Sequence, residues 1–198
     1  GMMELVFKRS WNIFIKDVTD KLFAFNSLFI VVLVVSCLMM GNHLVDMTKI
    51  HAPTLTKNQI ALSNLQPQFA RQDFGRLQIN KSSNGSILSV TGRRFGNGLG
   101  THANSQIDYW LPENALELNF MFGLDDEIES ADVTFSVWGD DQLLWQSQPV
   151  YGAESDLETI KLPLKDIKRL SLRVSSNGDI SSDHADWIQP ILTLENQF

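Results

Sequence analysis

The hydrophobic rhythm of the chain changes three times. From Leu22 to Val45 the segment LFAFNSLFIVVLVVSCLMMGNHLV carries no formal charge, and polar residues interrupt it only at Asn26, Ser27, Ser36, Asn42 and His43. A run of that length crosses a hydrocarbon core of roughly 30 Å as one helix, which predicts a transmembrane segment over residues 22–45. Ahead of it, Phe7, Trp11, Phe14, Val18 and Leu22 recur at spacings of three and four. Two readings fit residues 1–21: a cytoplasmic or interfacial amphipathic segment anchored by Trp11, or a plain cytoplasmic extension of the spanning helix. After the span, residues 46–72 mix polar side chains with Pro53 and Pro67 and keep no sustained period, which predicts a stalk or linker. From residue 73 onward the period becomes two. LQIN, SILSV, QIDYWL, ALELNFMFGL, DVTFSVWG, QLLWQS, ETIKLPL, RLSLRVS and PILTLE all read as strands, with turns supplied by NG at 84–85, GNG at 96–98, GDD at 139–141 and NGD at 177–179. In RLSLRV the apolar Leu170, Leu172 and Val174 alternate with Arg169, Ser171 and Arg173, as in a strand with one wet face. So many short strands with no comparable helix predict an all-β sandwich of the jelly-roll kind over residues 73–198.

Charge orients this arrangement. Lys8, Arg9, Lys16 and Lys21 precede the span, while only Lys49 and Lys57 follow it closely. The positive-inside rule therefore puts the N-terminus in the cytoplasm and the β domain outside, across an inner or plasma membrane. A cleavable signal peptide is the competing reading. The charged lead is long for one, and Met39, Met40, Gly41, Asn42 and His43 make a poor cleavage site, so a retained single-pass anchor is expected. Residues 1–69 hold six Lys or Arg against four Asp or Glu, net +2; residues 70–198 hold ten against nineteen, net −9. An acidic exported domain argues against nucleic acid and suits a hard cation. The single cysteine, Cys37, lies in the span, so no intrachain disulfide forms.

Two polar stretches hold the candidate chemistry: GLGTHANS at 98–105 and DHADW at 183–187, read here as loops. A sugar site needs an aromatic face for the pyranose and a few polar groups for its hydroxyls. Trp187 with His102, Asn104, His184 and Asp186 meets that need if the two stretches converge. The alternative is equally open: the histidines and Asp186 tie down backbone while Trp187 fills the core. Trp138 and Trp145 flank a turn and are expected to pack in their hairpin or on the sandwich, and only one of Tyr109 and Trp110 can face inward. The run DDEIESAD at 125–132 offers Asp125, Asp126, Glu127 and Glu129, either as calcium ligands or as a solvated acidic turn. No cysteine follows the span and no serine sits in a recognisable nucleophile elbow, so no enzyme activity is expected.

The series GRRFGNGLGTHANSQIDYWLP, FGLDDE, FSVWGDDQLLWQS and LRVSSNGDISSDHADWIQPIL resembles, in this order, the motifs of the NPCBM family of carbohydrate-binding modules. The hairpin reads GDDQ where that family usually has GDGK. The resemblance implies a galactose-binding-like β-sandwich, binding of galactose-containing glycans and a structural calcium nearby. It also implies company with glycoside hydrolases or membrane glycosyltransferases. The function expected is a membrane-anchored, non-catalytic module that binds carbohydrate. The alternative from another class is an assembly subunit of a membrane glycosyltransferase or envelope complex, docking through small and polar groups of the span such as Asn26, Ser27, Ser36 and Gly41.

Overall fold

The computed structural model describes residues 2–128, 130–152, 157–178 and 182–196, with the side chains of the first helix described over residues 10–42. It divides into two compact units, Gly1–Asp46 and Met47–Phe198. The first is a single helix, α1, over Met2–Thr48. Residues 2–21 belong to the same unbroken helix. Every side chain from Ser10 to Asn42 is exposed, and the stretch has a mean hydropathy of 2.6 in its most apolar window. Such a helix, apolar all round, is long and apolar enough to cross a membrane. Ser27 turns its hydroxyl back onto the Phe23 carbonyl at 2.9 Å, so this polar group is satisfied within the helix.

The second unit is all β. Its strands are β1 Ile50–His51, β2 Gln59–Ala61, β3 Phe69–Gln72, β4 Gln78–Ile79, β5 Leu88–Val90, β6 Arg93–Phe95, β7 Gly98–His102 and β8 Ser105–Trp110. They continue as β9 Ala115–Leu124, β10 Asp132–Gly139, β11 Gln142–Gln146, β12 Val150–Tyr151, β13 Ile160–Pro163, β14 Arg169–Ser176 and β15 His184–Leu194. One sheet runs β11-β10-β14-β8-β3, with β12 on β10; the facing sheet runs β13-β9-β15-β7-β4, with β2 on β15. A small third sheet, β1-β6-β5, covers a satellite core of Leu88, Val90, Phe95 and Ile188.

Alternation builds the main core. In β14 the residues Leu170, Leu172 and Val174 point inward and meet Phe135, Val137, Leu118 and Phe120 from other strands. At its centre Trp187 sits edge-on between Phe120 and Phe135, with ring centroids 5.3 and 5.2 Å away. Tyr109 is buried and Trp110 exposed, as alternation requires. Trp145 packs edge-on against Phe120 and Phe122, and Trp138 lies beneath the Arg173 guanidinium at 4.8 Å. The turn between β10 and β11 is Asp140–Asp141, both at positive φ, a two-residue hairpin connection.

Two expectations need correction. Residues 46–72 are not all stalk: β2 pairs with β15 and β3 pairs with β8, so the sandwich has begun by Gln59. These strands are short edge elements, too brief to set up a readable period. Nor are GLGTH and HADW loops. They are neighbouring strands in full antiparallel register, Gly98 opposite Ile188, Gly100 opposite Asp186 and His102 opposite His184. Strands buried on both faces lose the apolar/polar alternation that marks a half-wet one. The glycines of the motif answer to close packing: a Cβ on Gly98 would lie 2.5 Å from the Trp187 carbonyl oxygen, and one on Gly100 2.1 Å from that of Lys81.

Candidate functional site

The register of β7 and β15 sets the two histidines side by side at one end of the sandwich, their rings 5.3 Å apart and edge-on. His102 places Nδ1 2.7 Å from the Ala103 carbonyl oxygen. A carbonyl only accepts, so this nitrogen carries the proton. His184 Nδ1 lies 2.8 Å from Glu127 Oε1, and the other Glu127 oxygen accepts the Ser82 hydroxyl at 2.9 Å. Against the other side of His102 lies Phe74, ring centroids 5.5 Å apart and 66% exposed.

Phe74 sits on the connection between β3 and β4, and that loop is pinned at several points. The Gln72 side-chain amide donates to the Phe74 carbonyl at 2.6 Å, and Gly75 takes φ +69° to close the turn. Asn104 Nδ2 donates to Asp73 Oδ2 at 3.0 Å, while Asp73 N donates to the Asn104 carbonyl at 3.1 Å. Asn104 Oδ1 in turn accepts the Ser176 N–H at 2.8 Å, so this exposed residue ties β3, β8 and β14 together. The same Asn104 hydrogen bonds hold the exposed Asp73 carboxyl below its ordinary range and keep it ionised.

Trp187 and Asp186 do not reach this surface. Both are fully buried, so neither touches a sugar in this arrangement, and the expectation that they line the site is corrected. The reason is register: Asp186 and Trp187 lie opposite Gly100 and Leu99, in the middle of the sheet, while His102 and His184 lie at its end. Asp186 receives no hydrogen bond from an N–H or hydroxyl, and its neighbour is the carboxyl of Asp125. Burial, and then Asp125 itself, push the Asp186 carboxyl well above the usual carboxylate range. Asp125 itself accepts Ser89 N at 3.0 Å and Glu127 N at 2.9 Å.

The acidic run is a clip. Asp126 Oδ2 accepts the Ser89 hydroxyl at 2.6 Å and Gly92 N at 2.8 Å, and Glu127 Oε1 accepts Asn84 N at 3.3 Å besides holding His184. Asp125, Asp126 and Glu127 are thus occupied by donors from the 82–92 segment and β15. Among the described residues no three His, Cys, Asp or Glu come together as metal ligands. Glu129 and Asp179 lie outside the described residues.

Concavity and chemistry do not coincide. The largest cleft described, about 720 Å³, opens between the edge strands β3 and β4; a smaller one of about 240 Å³ is lined by Asp73 and Asn104. At the histidine end the rings of His102 and His184 are themselves nearly buried, 3% and 9% exposed, and Phe74 is the aromatic that this end presents to solvent.

The NPCBM/NEW2 domain profile matches residues 58–193. The chain belongs to the NPCBM/NEW2 family. That match begins inside the stretch expected as a stalk, in agreement with the pairing of β2. The α-1,3-galactosidase B of Akkermansia muciniphila is 32% identical over 122 residues, 60% of this chain but 15% of that enzyme, so the chain spans a small part of the curated relative it matches. Among solved structures, the CBM51 from Clostridium perfringens GH95, in complex with methyl-galactose, superposes with a TM-score of 0.64 at 27% identity, covering 68% of this chain and 99% of that one. The CBM51-2 and INT domains from Clostridium perfringens ZmpB, in complex with GlcNAc, share the fold at 22% identity and a TM-score of 0.64, over 70% of this chain and 32% of that one. The NPCBM sandwich explains the family motifs as scaffold: Gly98 and Gly100 admit Trp187 and Lys81, and Glu127 fastens His184. Phe74 escaped the sequence reading because it stood at the edge of the supposed stalk. An aromatic between Asp73 and Gly75 is the signal that marks it, a turn presenting a ring to solvent.

Proposed function

We propose that this chain is a non-catalytic carbohydrate-binding module for galactose-type glycans, held at a membrane by α1 with its N-terminus cytoplasmic. The observation that carries it is the exposed Phe74 ring tilted against His102, in a domain whose sequence and fold run the full length of a module solved in complex with methyl-galactose. Phe74 offers a face for the apolar side of a pyranose. The ionised, exposed Asp73 accepts sugar hydroxyls, Asn104 holds that carboxylate in place, and His102, backed by His184, supports the Phe74 ring from below. No group here is set up as a nucleophile, because His102 donates to its neighbour's carbonyl and His184 is held by a carboxylate. A shallow site binds weakly one copy at a time, and many copies in one membrane raise the effective concentration.

The test is calorimetric titration of the full chain, in a detergent without a sugar head group, with methyl galactoside and with GlcNAc. Saturable heat with galactoside supports the reading. Absence of heat with both, together with co-purification of a membrane glycosyltransferase that needs α1, favours the assembly subunit instead.

A further inference from the structure

The largest cleft of the sandwich has a charge opposite to the domain around it. It lies between β3 and β4, the edge strands of the two facing sheets, and is closed on one side by residues 63–67. Arg71 and Arg76 line it, both exposed, and no acidic side chain does. The rest of the domain is strongly acidic: apart from Arg71 and Arg76, residues 70–198 hold eight Lys or Arg against nineteen Asp or Glu. Arg76 makes no ion pair or hydrogen bond through its guanidinium to a described residue, and Arg71 interacts electrostatically with Asp73, which lies outside the lining. An anion is repelled by most of this surface and attracted here.

Apolar walls accompany the charge: Leu65, Pro67, Leu77 and Ile79 line the same cleft. Guanidinium forks beside apolar surface suit a planar carboxylate or a sulfate ester on a sugar ring. Arg76 also stands two residues from Phe74, on the same pinned turn between β3 and β4. A ligand that places one sugar on Phe74 is therefore near the cleft with its next unit.

We infer that the cleft between β3 and β4 is a second subsite that takes an acidic sugar, bearing a carboxylate or sulfate, joined to the neutral galactose-type sugar on the Phe74 rim. This rests on the carbohydrate-binding reading above and adds charge selectivity to it.

The experiment compares lactose, 3′-sialyllactose and 3′-sulfolactose on the full chain in detergent, as wild type and as Arg76→Gln, at low and high salt. The acidic sugars are expected to bind about fivefold tighter than lactose, the order an exposed charge pair supports. That advantage should vanish in Arg76→Gln and shrink at high salt, while lactose affinity and the unfolding midpoint stay unchanged. Equal affinity for all three sugars overturns the inference and leaves the neutral rim standing. If no sugar binds at all, the carbohydrate reading falls and takes the subsite with it.

Discussion

The strand pair that carries GLGTH and HADW and the loop that carries Asp73, Phe74 and Gly75 touch at His102, yet water reaches them very differently. In the strands, Thr101, Asp186 and Trp187 are fully buried and Gly100 admits no side chain. In the loop, Phe74 is 66% exposed and Arg76 points no bonded group back into the protein. Backbone closeness and core packing allow one residue type at many positions of the strands, and that narrow choice is what makes them recognisable. The loop obeys only the turn at Gly75 and its side-chain ties, so it is free to present whatever a ligand requires. The most recognisable residues of this chain are therefore its supports, and the residues proposed to contact sugar stand beside them.

The sharpest way to separate the two regions is to damage each alone. Trp187→Ala empties the space between Phe120 and Phe135 and should cost about 3–5 kcal/mol of stability, read from denaturant unfolding. A loss under about 1 kcal/mol would mean that the indole is not core. Phe74→Ala should do the reverse. Its exposed ring contributes little to folding, about 0.5 kcal/mol or less, while galactoside affinity should fall up to about tenfold by titration.

A smaller effect tests the buried carboxyl. Asp186 holds its proton more tightly folded than unfolded, so its contribution is full below the ordinary carboxylate value of about 4 and is lost as pH rises toward the raised folded value. Asp186→Asn has no proton to lose. Its midpoint of thermal unfolding should gain on wild type as pH rises, and parallel curves across the range would show the carboxyl to be ionised in the folded chain.

Much of this architecture was legible in residues. The alternation of Leu170, Leu172 and Val174 marked a sandwich strand, the run from Leu22 to Val45 marked a helix long enough for a membrane, and four motifs in order pointed to the family. What was hidden is what periodicity does not encode. Gly98 to His102 is buried on every residue and so shows no alternation. The strands between Ile50 and Gln72 span two to four residues each, shorter than any pattern. Trp187 looked like a ligand platform beside His184 in sequence, and only the pairing of β15 with β7 and β9 turns it into the core. The carboxylates at 125–127 read in sequence as calcium ligands or as a solvated acidic turn, and their protein donors on the 82–92 segment are too distant along the chain to be read from it.

The central claim is that the exposed ring of Phe74, and not the motif tryptophan, receives the sugar. Its most direct measurement is titration of the full chain with methyl galactoside, wild type against Phe74→Ala, with unfolding followed on the same samples. Saturable binding in wild type, weakened in Phe74→Ala at unchanged stability, is the expected result. Equal affinity in the two proteins, or no saturable binding in wild type, would contradict it.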